Sequence, residues 1–112
     1  QISAKAARTG FDWPDVDGAL EKVAEEAGEL ARARESASKE DIEAELGDLL
    51  FTLVNVARFL KVDPEQALRK TNARFRKRFG HIETSLASEG RRFSDATLEQ
   101  MEALWQQAKG LE

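Results

Sequence analysis

Apolar residues recur at helical spacing along nearly the whole chain, and little interrupts them. The sequence contains only two prolines, both at segment boundaries, and no stretch has the period-two, β-branched pattern of a strand. Such a chain can bury its apolar stripes only by packing helices on helices. The expected architecture is therefore an all-α bundle of four to five helices.

The boundaries follow from local chemistry. Residues 2–9 read as the end of a short helix, followed by a turn over Gly10-Phe11-Asp12-Trp13-Pro14. A second helix starts after Asp15 or Asp17 and runs to about Arg34, with Val16, Leu20, Val23, Ala27 and Leu30 as its apolar stripe. Ser38 is placed to cap a third helix that reaches about Leu60. Asp63-Pro64-Glu65-Gln66 is a start signal, with Asp as cap, Pro in the first helical position and Gln at the third. The fourth helix carries Leu68, Thr71, Phe75, Phe79, Ile82 and Leu86 before Gly90, and a last helix spans about Thr97 to Lys109.

The third helix is apolar around most of its circumference. Leu46, Leu49, Leu50, Leu53, Ala57 and Leu60 form one stripe, and Phe51, Val54 and Val56 widen it. A helix of that kind needs cover on more than one side, more than a domain this small supplies. Homo-oligomerisation through this helix is expected.

With 112 residues and 41% apolar content, residues 1–112 fit one domain with a modest core. Position 1 is Gln and the only methionine is Met101, which reads as a piece of a longer protein. Absence of cysteine removes disulfide and thiolate chemistry, and the lone His81 cannot build a histidine-rich zinc site. No apolar run approaches the ~18 residues of a membrane span and no signal-peptide pattern opens the chain, so no membrane partner and a cytoplasmic location are expected. A net charge of −4 argues against polymeric nucleic acid, whose binding depends on many cationic contacts.

Glu26 and Glu29 lie three residues apart on the second helix, as do Glu45 and Asp48 on the third. That spacing puts each pair on one side of its helix, so two antiparallel helices can aim four carboxylates at one point, on the shoulders of the apolar stripes. Like charges so placed call for a cation. Mg²⁺, a hard ion that takes oxygen ligands and shares its shell with phosphates, is the plainest candidate, and Mn²⁺ suits the same donors. The competing reading is a solvated acidic face paired with Lys22, Lys39 or Arg32.

Basic residues crowd downstream at Arg69, Lys70, Arg74, Arg76, Lys77 and Arg78. Arg74 and Arg78, four apart, form a two-arginine fork for phosphate oxygens, or else part of a solvated basic face. Trp105 and Lys109 have the same spacing, and could set an indole under a base and an ammonium beside a phosphate; a tryptophan on an apolar stripe is more often core. Phe11 and Trp13 are expected to pack against the end of the bundle.

These residues carry a family resemblance. Lys22-Val23-Ala24-Glu25-Glu26-Ala27-Gly28-Glu29-Leu30 resembles the EExxE motif of the MazG nucleoside triphosphate pyrophosphohydrolases, and Glu45-Leu46-Gly47-Asp48-Leu49-Leu50-Phe51 resembles their ExxD motif. The likeness continues through Gly10-Phe11-Asp12-Trp13, through Lys70-Thr71-Asn72-Ala73-Arg74-Phe75-Arg76-Lys77-Arg78-Phe79, and to Trp105-Gln106-Gln107-Ala108-Lys109. It covers nearly the whole chain and is greatest to the C-terminal of the two MazG-type domains of the bacterial enzyme.

The resemblance implies a dimeric all-α fold that hydrolyses nucleoside and deoxynucleoside triphosphates to monophosphate and pyrophosphate with Mg²⁺. Carried over by position, Glu26, Glu29, Glu45 and Asp48 are the metal ligands, and Lys22, Arg74, Arg78, Trp105 and Lys109 contact nucleotide. Glu25, the first Glu of EExxE, is a further substrate-side candidate, and Glu29 or Glu45 is expected to accept the proton of the attacking water. Rival readings are a non-hydrolytic nucleotide-binding or dimerisation module and a di-iron bundle. The last would need Glu-x-x-His pairs, and Arg78 stands three residues before His81.

Overall fold

The computed structural model describes residues 2–36 and 38–112. It contains α1 (Ile2–Ala7), α2 (Val16–Ser36), α3 (Lys39–Phe59), α4 (Pro64–Ser88), a 3₁₀ turn at Phe93–Asp95 and α5 (Leu98–Gly110). Among the described residues there is no strand, as the sequence pattern required. The Ser38 hydroxyl accepts from the Asp41 amide at 3.2 Å and starts α3. Thr97 and Gln100 form a reciprocal capping box that starts α5. The 3₁₀ turn has no counterpart in the sequence reading, because three residues carry too little periodicity to register.

Three helices stop by the same device. Past α1, α3 and α4 the chain turns through a left-handed residue, respectively Gly10 (φ 96°), Lys61 (φ 58°) and Gly90 (φ 67°). In each case the next amide bonds back to a carbonyl five residues earlier: Phe11 to Ala6 at 3.2 Å, Val62 to Ala57 and Arg91 to Leu86 at 2.9 Å. Glycine adopts this backbone without Cβ strain, whereas Lys61 does not.

The chain forms two compact units, residues 1–64 and 65–112. In the first, α2 pairs with α3, and the short connection makes them antiparallel. Glu29 and Glu45 meet across this hairpin, and the same register sets Ala19 opposite Asn55, both with 0% exposure.

This register corrects the expected faces. On α2, Leu20 and Ala27 are exposed, while Ala19 and Glu26, two turns apart, are buried. On α3, Leu46, Leu50, Phe51, Leu53 and Leu60 are exposed, and the buried side chains are Thr52 and Asn55. The hairpin thus turns its small and polar residues inward and leaves much of its leucine outside.

In the second unit Ile82 and Leu86 of α4 and Ala108 of α5 are buried. The Phe75 ring meets Trp105 at 5.3 Å, and Phe79 stacks on Phe93 at 5.2 Å. Leu68, Phe75 and Phe79 of the expected α4 stripe remain exposed, so only the C-terminal half of that stripe is core.

Candidate functional site

Glu26, Glu29 and Glu45 each bring a carboxylate oxygen within 4.8 Å of the others. Glu26 and Glu29 sit one turn apart on α2, and the hairpin register brings Glu45 of α3 to meet them. Glu26 is only 4% exposed, while Glu29 and Glu45 are half-buried. Glu26 is thus withdrawn from solvent, while its pairing with Lys22 is the one the competing reading expected.

Their partners are incomplete. Glu26 Oε1 accepts from Lys22 Nζ at 3.1 Å, and Lys22 also holds Glu25 Oε1 at 3.3 Å. Glu26 Oε2 and Glu45 Oε2 are buried with no hydrogen-bond partner. Buried carboxylate oxygens are ordinarily satisfied, and these two are not. The negative charge of Glu26, followed by burial and then Glu45, pushes the Glu29 carboxyl above its ordinary value. Hydrogen bonding to Glu26 and then Glu25 raises Lys22 and keeps it cationic.

The other sequence candidates are placed as follows. Asp48 is exposed on α3 and does not join the three-carboxylate group; its backbone carbonyl accepts from Thr52 Oγ1 at 2.9 Å. Glu25 is exposed and held by Lys22. In the second unit, Arg74 is exposed and donates to Thr71 Oγ1 at 3.1 Å. Arg78 makes a two-point ion pair with the Glu112 carboxylate at 2.7 and 3.0 Å. Glu112 raises Arg78 and is itself pulled below its ordinary value. Trp105 is half-buried, with the Arg78 guanidinium 5.4 Å from its ring centre, and Lys109 is exposed.

Three of the four carboxylates expected from the acidic motifs thus come together on an all-helical scaffold, with Lys22 beside them. The family model described as "MazG nucleotide pyrophosphohydrolase domain" matches residues 15–82. The chain belongs to the MazG family. It is 41% identical over 110 residues to the nucleoside triphosphate pyrophosphohydrolase/pyrophosphatase MazG of Thermotoga maritima, covering 98% of this chain and 42% of that protein. Identity to the nucleoside triphosphate pyrophosphohydrolase of Escherichia coli is 40% over 111 residues, covering 97% of this chain and 42% of the relative. The Bacillus subtilis protein named "Uncharacterized protein YabN" is 49% identical over 78 residues, which are 70% of this chain and 16% of that one. The chain thus spans about two-fifths of the length of its full-coverage MazG relatives. Among the described residues no helix is long and apolar enough to cross a membrane.

Sequence reasoning missed a second polar group on the same hairpin. The Asn55 amide donates to the Phe51 carbonyl at 3.0 Å, and its Oδ1 accepts from Arg58 at 3.2 and 3.0 Å. Arg58 also grips Asp12 at 2.7 Å, and Asp12 accepts from the Trp13 amide at 2.9 Å. Arg58 holds the Asp12 carboxyl below its ordinary value. Beside this network the first unit contains a cavity of about 380 Å³, lined by residues of α1, the loop at Phe11-Asp12-Trp13, and α3. Phe11, expected to pack, is 81% exposed. One signal was available: Thr52 and Asn55 continue the arc of Glu45 and Asp48 at helical spacing.

Proposed function

We propose that this chain is a cytoplasmic, Mg²⁺-dependent hydrolase that cleaves nucleoside and deoxynucleoside triphosphates to the monophosphate and pyrophosphate. The observation that carries the reading is the pair of orphaned buried oxygens on Glu26 and Glu45, within a cluster completed by Glu29. An all-oxygen donor set suits a hard divalent ion, with Mn²⁺ as the alternative. Membership of the MazG family, whose curated relatives carry the name nucleoside triphosphate pyrophosphohydrolase, supports the substrate class.

Glu26, Glu29 and Glu45 would hold the ion, with Asp48 completing the set by rotation of an exposed side chain. The ion when bound supplies neutralisation of phosphate charge and acidification of water. Glu29 is the group assigned to accept the proton as water attacks the α-phosphorus, with Glu45 as the alternative. Lys22, fixed by Glu25 and Glu26, places a cation where the leaving pyrophosphate gains charge. The proposal also assigns Arg74, Arg78, Trp105 and Lys109 to contacts with the nucleotide. For Arg78 this means exchanging the Glu112 carboxylate for a phosphate.

The exposed leucines of α3 support a homodimer formed through that face, since an unpaired apolar patch of this kind marks an association site. The test of function is product analysis after incubation with a mixture of triphosphates and Mg²⁺, with EDTA and Glu45→Gln controls. Monophosphate and pyrophosphate should form and vanish in both controls; turnover undiminished by Glu45→Gln would overturn the reading.

A further inference from the structure

Resting on that reading, we infer that Glu112 sets the affinity of the phosphate contact made by Arg78: its carboxylate occupies the guanidinium edge that a phosphate needs, and a triphosphate must displace it to bind. Arg78 Nη2 and Nε donate to the two Glu112 oxygens at 2.7 and 3.0 Å. Paired N–H groups of that kind are the ones with which arginine grips phosphate as well as carboxylate, so one edge does not serve both at once. Charge holds the carboxylate there. Its hydrogen bond to Arg78, opposed by burial and helped by the charges of Arg78, Lys77 and Arg74, keeps the Glu112 carboxyl below its ordinary value. Glu112 is thus the resident anion of the basic cluster on α4.

The surroundings of the pair allow the exchange. The guanidinium carbon lies 5.4 Å from the centre of the Trp105 ring, so the cation keeps a second partner when the carboxylate departs. Arg78 and Glu112 line a cavity of about 270 Å³ with Lys77, His81 and Thr84, which gives an incoming anion room to reach the edge. Glu112 stands beyond α5, whose last helical residue is Gly110, and turning its side chain breaks no bond within that helix. Both side chains are partly withdrawn from water, 17% exposed for Arg78 and 27% for Glu112. The pair therefore competes more strongly than one in open solvent, whose displacement lowers apparent affinity by roughly two- to fivefold.

Isothermal titration calorimetry with tripolyphosphate and Mg²⁺ tests this on wild type, Glu112→Gln, Arg78→Ala and the double variant, with far-UV circular dichroism checking the fold of each. Glu112→Gln keeps the shape, removes the charge and should tighten tripolyphosphate at least twofold. Arg78→Ala should weaken it, and adding Glu112→Gln to Arg78→Ala should change nothing further. Glu83→Gln, which removes the same charge from an exposed position of α4, should leave the affinity as it is. The inference is overturned, with the nucleotide reading intact, if Arg78→Ala weakens binding while Glu112→Gln leaves it unaltered or weakens it. It is equally overturned if Glu112→Gln tightens binding as much without Arg78, or if Glu83→Gln tightens it as much, since loss of any negative charge would then be the cause. An affinity unaffected by Arg78→Ala would remove both the inference and the assignment of Arg78 to phosphate, and no binding by wild type would remove the hydrolytic reading as well.

Discussion

Replacing Glu26 by Gln should make the metal-free protein more stable while abolishing its response to Mg²⁺. Glu26 is 4% exposed, one of its oxygens has no partner, and two further carboxylates lie within 4.8 Å. An unsatisfied buried polar atom costs about 1–3 kcal/mol. The Gln side chain keeps the shape, removes one negative charge and offers an N–H to Glu29 or Glu45. Lys22 loses one ion pair and retains the other with Glu25. At roughly 4–8 °C per kcal/mol for a domain of this order, the apo midpoint should rise by about 4 °C or more. Wild-type protein should be stabilised when metal is added, and the variant should not. At a hundred times its dissociation constant, the ion adds about 2.7 kcal/mol by linkage, and the variant gains little. Thermal unfolding followed by far-UV circular dichroism, with EDTA and then with Mg²⁺, reads both effects in one experiment. A variant that is less stable without metal and still stabilised by it would refute the cation-site argument.

Three further outcomes are expected. Leu86→Ala, at a position 1% exposed, should cost about 2–5 kcal/mol, read as a lower urea midpoint. Lys61→Gly relieves a left-handed backbone at φ 58° and should raise stability by about 1 kcal/mol, whereas Lys61→Val should lower it; equal midpoints for the two would discount the strain. Asp12 is held below its ordinary value of 3.8 by Arg58, so its contribution is present above that pH and is lost as pH falls through the still lower folded value. Asp12→Asn should therefore be less stable than wild type at neutral pH, with the gap closing below 3.8, as measured by denaturation at a series of pH values.

The helices were legible because their signals are local. Pro64, the Ser38 and Thr97 caps and the apolar periodicities fix where each segment begins whatever it packs against. Helix faces were less so. Periodicity marked the leucines of α3 as one stripe but could not say that Ala19 and Asn55 would be buried, because that depends on the register of a hairpin. The acids at positions 26, 29 and 45 were found through spacing, whereas their incomplete hydrogen bonding is visible only in three dimensions. Asp48 shares the spacing but not the burial. The Asp12–Arg58 contact spans 46 positions, and no pattern within either segment announces it.

The way Glu29 and Glu45 meet across the hairpin also makes chain length itself part of the site. Removing one helical residue between them, uncompensated by the connection, would turn α3 by ~100° about its axis and shift it by about 1.5 Å, swinging Glu45 off the seam and a neighbour into its place. Substitutions at the exposed positions Arg34, Glu35 and Lys39 leave that phase untouched. The helical turns between the two acidic motifs are thus tolerant of chemical change at their exposed positions, and their length acts as a spacer whose measured quantity is rotation.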